Sequence, residues 1–402
     1  MTLGVSLAAL RERDFRNVFL ASAVSQVGDQ MVPVALSFAV LDLTGSVSDL
    51  GYVLAAGTIP LVALLLVGGV AADRVSRRQL MIAADGVRLA AQGAMALLLL
   101  TGTAHVWELI VLEAVRGGAA AFFQPASVGI VPQIVAGDLL QQANALRGLT
   151  SSAGGIVGPA VAGALVVLGS PGWAIAANAA SFGVSAFFLF RVRAPALDRA
   201  AEKMTFLGDL LHGWHEFRSR TWLWAIVAQF ALLHLIPLSA FLVFGAVLSK
   251  RDLGGAGAWS TILALFAAGA VVGGFAALRL RTKRPLLVAT LADLTLVAPI
   301  ALLALRIGLA PVAAGAFVAG VGMSVFGVLW ETTLQREVPP EALSRVSAYD
   351  WFGSIATLPI GYALVGPLSH AIGISGTLWL GVAVVVVSTA AILAVPDVRR
   401  PH

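Results

Sequence analysis

Cysteine is absent from all 402 residues. That excludes disulfides, thiolate metal sites and cysteine nucleophiles. Charge is nearly as scarce, at 12% of residues against 59% hydrophobic, and the mean hydropathy is +0.91. Lysine is confined to Lys203, Lys250 and Lys283, so arginine fills almost all of the 26 basic positions. This bias points to a GC-rich bacterial genome. No glycine-rich phosphate-cradling loop occurs, so ATP is not expected to drive the protein. Nor does the sequence offer a metal-ligand cluster, a nucleophile triad or an extramembrane sensor segment. Neither an enzyme, a cofactor nor a bound metal is therefore expected. The opening MTLGVSLAALRERDFRN lacks a basic leader, and its charged residues directly precede a full-length apolar span. That is not the pattern of a cleavable signal peptide.

What the chain has in abundance is apolar length. Runs of about 20 residues recur throughout, each enough to cross a hydrocarbon core of roughly 30 Å. Twelve spans are expected, near 15–41, 50–72, 79–101, 106–126, 144–168, 172–190, 221–248, 256–278, 285–305, 310–332, 346–368 and 373–395. The fold class is thus an all-α polytopic membrane protein with twelve transmembrane helices. Short connectors make sequence neighbours antiparallel neighbours in space. The net charge of +5 and pI ≈ 10.2 reflect basic residues held on one membrane face, not a nucleic-acid partner. Arg11, Arg13, Arg16, Arg74, Arg77, Arg78, the basic residues of 191–220 and of 279–284, Arg336, Arg345, Arg399 and Arg400 fall on that face. Little beyond Lys250, Arg251 and Arg306 falls on the other. Both termini are therefore expected in the cytoplasm.

The chain also repeats. Gly274-Phe275-Ala276-Ala277-Leu278-Arg279, with Arg281, Lys283 and Arg284 after it, echoes the run starting at Gly69, 205 residues earlier. Val131-Pro132 returns as Val338-Pro339, 207 residues on. Two six-helix bundles related by a parallel repeat are expected: residues 1–190 and 221–402, joined by a cytoplasmic linker, 191–220. In that linker Phe206, Leu210, Leu211, Trp214 and Phe217 stand near helical spacing, as in an amphipathic helix lying on a membrane surface.

Because charge is scarce, each charged residue inside a span is informative. Asp29 lies about 18 Å into span one at 1.5 Å per residue, with no basic residue within a turn or two in sequence. It reads as a proton-handling acid, or as a hydrogen-bonded carboxylate at a helix break near Pro33. The 205-residue offset puts His234 of span seven at the equivalent depth, where an imidazole could relay a proton. Glu113 and Arg116 share one face of span four and either line an aqueous path or pair internally. Asp85 and Arg88 form a similar pair in span three, read as structural. Glu331, next to Trp330 near the cytoplasmic end of span ten, reads as a gate residue, and Asp350 could pair there.

Three runs carry a family resemblance. Gly69-Val70-Ala71-Ala72-Asp73-Arg74-Val75-Ser76-Arg77-Arg78 resembles the loop motif of the major facilitator superfamily, G-x-L-A-D-R-x-G-R-K, departing at Ala71 and Ser76. Span five contains Gly154, Gly158, Pro159, Ala162 and Gly163, similar to the antiporter motif G-x-x-x-G-P-x-x-G-G, departing at Ala162. Arg116, followed by Gly117, Gly118 and Ala120, resembles the fourth-helix motif R-x-x-x-G imperfectly. Leu278 stands where Asp73 would map in the second half, so the resemblance implies a cytoplasmic gate dominated by Gly69, Asp73, Arg74, Arg77 and Arg78, with Arg281 and Glu331 contributing. Gln124-Pro125-Ala126-Ser127, Val131-Pro132-Gln133 and Gln142-Ala143-Asn144-Ala145-Leu146 resemble the twelve-span drug:proton antiporter branch, which includes enterobactin and macrolide exporters.

The resemblance implies a proton-coupled secondary active exporter in a bacterial cytoplasmic (inner) membrane. It would move an amphipathic small molecule, a drug, antibiotic or siderophore, by alternating access, with the proton gradient as energy source. The alternative is a flippase of the same fold moving a lysophospholipid or other lipid. Phe38, Phe122, Phe123, Phe241, Phe326 and Trp330 are candidates to line an apolar cavity. The lipid bilayer is the expected surrounding, and a monomer the expected state.

Overall fold

The computed structural model describes residues 8–136, 139–193, 214–280 and 282–400. Those residues are helical with short connections, and no strand occurs among them. The chain divides into two compact units, Met1–Arg199 and Ala200–His402. Ten helices among the described residues are long and apolar enough to cross a membrane. The last of them, Val346–Ala394, covers two of the spans read from the sequence. Gly373 breaks helical geometry inside it, with φ 76° and ψ 164°, a conformation open to glycine and strained for other residues. The fourth expected span corresponds to the helix Val106–Gly129, which is not among the ten. Its Glu113, Arg116 and Gln124 dilute its apolar character, and all three turn out to belong to the site.

In the first unit, α1 (Arg13–Asp29) and α2 (Val32–Leu43) are two halves of one span. Pro33 lacks an N–H, so it fits the first turn of α2 and not the middle of a continuous helix. The break falls at Gln30–Met31, which leaves Asp29 as the last residue of α1. α3 (Val47–Arg74) is capped by the Ser46 hydroxyl, which accepts from the Asp49 N–H at 3.2 Å. α4 (Arg77–Thr101) ends on Gly102 in the left-handed region. Then follow α5 (Val106–Gly129), α6 (Val131–Ile134), α7 (Leu140–Leu168) and α8 (Pro171–Phe190). Phe15, Met81, Phe123, Ile130 and Leu189 are among the buried side chains of its core.

Backbone contact sets the geometry of this bundle. A Cβ on Gly117 of α5 would lie 1.8 Å from the Gly57 carbonyl oxygen of α3, and one on Gly68 would lie 2.1 Å from the Ala121 carbonyl oxygen. Small residues at these crossings let α3 and α5 touch through their main chains. The second unit repeats the device. There a Cβ on Gly273 would lie 2.3 Å from the Val321 carbonyl oxygen and one on Gly320 1.9 Å from that of Phe266. Gly273 stands 205 residues after Gly68, the offset of the sequence repeat.

The second unit contains α9 (Thr221–Leu233), α10 (Ser239–Leu248), α11 (Ala256–Arg279), α12 (Pro285–Ala292), α13 (Val297–Leu305), α14 (Leu309–Glu337), α15 (Pro340–Ile355) and α16 (Leu358–Ala394). A π-helical turn, His234–Leu238, links α9 to α10 around Pro237. A 3-10 turn, Asp293–Leu296, links α12 to α13. Of the expected linker helix, Phe206, Leu210 and Leu211 lie outside the described residues. Trp214 and Phe217 stack with centroids 5.6 Å apart, and both pack against Tyr349 of α15, at 5.5 and 5.9 Å. This end of the segment thus rests on protein.

Candidate functional site

Helices α1, α3, α4, α5 and α7 enclose a cavity of about 560 Å³ in the first unit. Its walls mix apolar side chains such as Phe19, Leu61 and Phe123 with the polar Gln26, Gln124 and Ser151. Asp29, Arg88, Arg116 and Arg147 reach it as well.

Three carboxylates and two guanidiniums form a continuous network behind one wall. Ser185 Oγ of α8 donates to Asp85 Oδ2 at 2.6 Å. Arg88 Nη2 donates to Asp85 Oδ1, and Arg88 Nη1 reaches Asp29 Oδ2 at 3.3 Å. Arg116 Nη1 lies 3.7 Å from Asp29 Oδ1. Arg116 Nε and Nη2 each lie 2.8 Å from Glu113 Oε2, while Gln92 Nε2 donates to Glu113 Oε1 at 2.8 Å. Asp29 therefore sits between the two arginines, and each arginine keeps a second, buried acid of its own. Asp29 is the most open of the five groups, its side chain 35% exposed, while Asp85, Arg88 and Glu113 are buried.

Each helix brings its member for a local reason. Asp85 and Arg88, and likewise Glu113 and Arg116, stand three residues apart and so share a helix face. The Arg88 guanidinium lies between the Phe123 and Phe182 rings, 4.1 and 4.2 Å from their centroids. Weakly hydrated and planar, a guanidinium suits such a sandwich. Gly57 leaves space for Glu113, since a Cβ there would lie 2.9 Å from Glu113 Oε2.

The expectation that Asp29 lacks a basic partner is corrected here. Its partners come from α4 and α5, which a search along α1 alone misses. Asp85 and Arg88 pair as read, but the pair is also joined to Asp29. Gly154, Gly158, Pro159 and Gly163 are buried on α7. A Cβ on Gly158 would lie 2.5 Å from Gln30 Cβ and 2.8 Å from the Val27 carbonyl oxygen, so this helix lies directly against α1 beside Asp29. Arg147, not singled out from the sequence, also lines the cavity. Its signal was an arginine inside an apolar run with no acid within a turn.

The Gly69–Arg78 run ends α3, turns at Val75–Ser76 and begins α4. Arg77 Nε donates to the Ala72 carbonyl at 3.2 Å, and its Nη1 donates to that of Gly129. Arg78 donates to the carbonyls of Leu189 and Phe190 at 2.9 and 2.8 Å. Both arginines thus satisfy free carbonyls at helix C-termini, where the helix dipole favours a cation. Arg74 is exposed. The Asp73 side chain and Arg281 lie outside what is described.

The remaining candidates fall in the second unit, apart from Phe38 and Phe122. His234 Nδ1 donates to the Phe230 carbonyl at 2.8 Å within its own helical segment. Glu331 accepts from Gln335 at 3.0 Å, and Asp350 accepts from Trp330 Nε1 at 2.9 Å. Phe326 and Trp330 stack at 5.9 Å inside the buried core of that unit. Phe241 packs on Trp259 at 5.6 Å. Phe38 is buried in α2 and Phe122 is half-buried in α5; of the six aromatics, Phe123 lines the cavity described above. A residue overlooked in the sequence is Asp293, buried, with neither carboxylate oxygen hydrogen-bonded among the described residues.

Comparison with known proteins agrees with the architecture. The family model described as Major Facilitator Superfamily matches residues 18–357. The multidrug efflux pump Tap of Mycolicibacterium fortuitum is 25% identical over 375 residues, 90% of each chain. Macrolide efflux protein A of Streptococcus pyogenes is 24% identical, covering 92% of this chain and 94% of its own. Among solved structures, a bacterial homologue of the iron transporter ferroportin, inward-facing, superimposes with TM-score 0.75 at 18% identity, covering 95% of this chain and 98% of its own. The nucleoside transporter NupG gives 0.74 at 14%, covering 94% and 98%. At these identities the structural likeness is one of fold.

Proposed function

This chain belongs to the Major Facilitator Superfamily, and from that premise we propose that it is a proton-coupled exporter of amphipathic small molecules. Membership makes it a multi-pass membrane transporter of small molecules, and its relatives include multidrug and macrolide efflux pumps. The observation that carries the finer reading is the charge count around Asp29. With all five groups ionised, Asp29, Asp85 and Glu113 against Arg88 and Arg116 leave one negative charge unbalanced. A single proton neutralises it, and of the three carboxylates Asp29 is the one that lines the cavity. Coupling requires that proton and substrate bias the same two-state equilibrium, and an acid in the cavity wall can do so. The glycine-rich face of α7 against α1 places a close-packed helix contact beside that acid. The lopsided distribution of arginine supports an inner-membrane protein with both termini in the cytoplasm, joined through the segment near residues 191–220.

The test is accumulation of ethidium, erythromycin and a catecholate siderophore in cells expressing the protein, with and without an uncoupler. Lower accumulation that the uncoupler reverses is expected. Accumulation unchanged by expression, or transport of a lysophospholipid indifferent to the uncoupler, would replace the exporter with the flippase.

A further inference from the structure

Arg147 differs from the other two arginines of the cavity. Arg88 and Arg116 are each held by two carboxylates. Arg147 has no acidic partner among the described residues; its one described polar contact is Ser127 Oγ, 3.4 Å from Nη2. That hydroxyl already donates to the Gln124 carbonyl at 2.9 Å. Arg147 also lies inside a candidate membrane span, Gln142–Leu168. A charge there is costly unless it faces water, an opposite charge or a ligand. Arg147 faces the cavity, where Gln26, Gln124, Ser127, Thr150 and Ser151 offer neutral hydrogen-bonding groups and Phe19, Leu61 and Val128 offer apolar wall.

We infer that Arg147 anchors an anionic group of the transported molecule, so that amphiphiles carrying one carboxylate or sulfonate on an apolar body are substrates. A planar guanidinium offers two parallel donors to such a group. Asp29 does not compete for this anchor, because Arg88 and Arg116 hold it. The inference rests on reading this cavity as the substrate's, and it adds the charge of the substrate to that reading.

Three probes with one fluorophore isolate the charge: dansyl-leucine (anionic), its methyl ester (neutral) and dansylcadaverine (cationic). Binding to the purified full-length protein in dodecyl maltoside is read by fluorescence anisotropy, with empty micelles as blank. Dansyl-leucine is expected to bind about ten- to a hundredfold tighter than its ester, the range of a charge-assisted hydrogen bond. Arg147→Gln should erase that difference, chiefly by weakening dansyl-leucine and affecting the ester far less. Arg147→Lys, which keeps the charge without the fork, should retain part of it. Equal or undetectable binding of all three, a preference for dansylcadaverine, or an acid preference that survives in Arg147→Gln would overturn the inference. Transport in liposomes separates it from the exporter reading. Gradient-driven movement of dansylcadaverine with no anion preference leaves export standing and removes the anchor. Anion-selective binding without gradient-driven transport does the reverse.

Discussion

Arg88 Nη1 reaches Asp29 Oδ2 at 3.3 Å across 59 positions of sequence, joining the end of α1 to the middle of α4. This contact makes one system of two pairs that would otherwise be separate. Through Asp29, the buried Asp85–Arg88 pair is connected to the buried Glu113–Arg116 pair. A change in the charge or position of Asp29 is therefore felt by both arginines, and through them by α4, α5 and α8.

Removing Arg88 should be far more damaging than removing its pair as a whole. Arg88→Met leaves Asp85 buried with Ser185 as its remaining described donor, and breaking a buried ion pair costs about 3–5 kcal/mol. The double variant Arg88→Met/Asp85→Leu removes both charges and should regain most of that loss. Thermal unfolding of the purified variants, followed by tryptophan fluorescence, checks the order: wild type, then double, then single. A single variant as stable as the wild type would contradict the structural role of the pair.

The two glycines of the antiporter-like motif should respond differently to one added methyl group. At Gly154 the nearest atom to a new Cβ is Gln26 Cγ, 3.6 Å away, an ordinary contact. At Gly158 the Val27 carbonyl oxygen stands at 2.8 Å, and main chain cannot swing aside as a side chain does. Gly158→Ala should cost roughly 1–3 kcal/mol of stability by overpacking and slow transport, while Gly154→Ala should be close to neutral. Unfolding midpoints and initial efflux rates of the two variants decide the matter.

Much of the fold was legible because membrane spans are written as local apolar length. The interruption at Pro33 was visible too, since proline's missing donor acts on its own helix. Pairs three residues apart, Asp85 with Arg88 and Glu113 with Arg116, were legible for the same reason: one helix face brings them together. Partners on different helices were not. The crossing of α3 and α5 depends on Gly57 meeting Gly117 main chain to main chain, and nothing in the spacing of charges records that. Asp29 consequently read as isolated when it is held by two arginines. Phe326 and Trp330 read as cavity-lining because large aromatic residues suit either a ligand wall or a core, and composition does not distinguish the two.

Asp293 is a polar group whose removal should help stability. Neither of its oxygens finds a hydrogen-bond donor among the described residues, and it is buried at a 3-10 turn of the second unit. An unsatisfied buried group costs about 1–3 kcal/mol. Asp293→Leu, of similar shape, should raise the unfolding midpoint. If stability rises while efflux is lost, Asp293 serves transport at the expense of stability. A lowered midpoint would show that its carboxyl group has a stabilising role.

Asp29 should govern coupling without governing stability. It is the most open member of the network, half-buried against the cavity, and each arginine it touches retains a buried acid when it is neutralised. Asp29→Asn keeps the side-chain shape and removes the unbalanced negative charge, leaving Asp85 and Glu113 matched against Arg88 and Arg116. Its unfolding midpoint should stay close to that of the wild type. In liposomes with an imposed pH gradient, it should fail to concentrate a fluorescent substrate that the wild type concentrates. With that substrate on one side and no pH gradient, it should still equilibrate the probe across the membrane, because the two-state motion does not itself require the charge. Loss of both activities with a normal midpoint would make Asp29 a residue of the transport cycle and not of coupling alone. Undiminished gradient-driven concentration would remove it from the mechanism, and Glu113, the other carboxylate joined to Arg116, would become the residue to neutralise next.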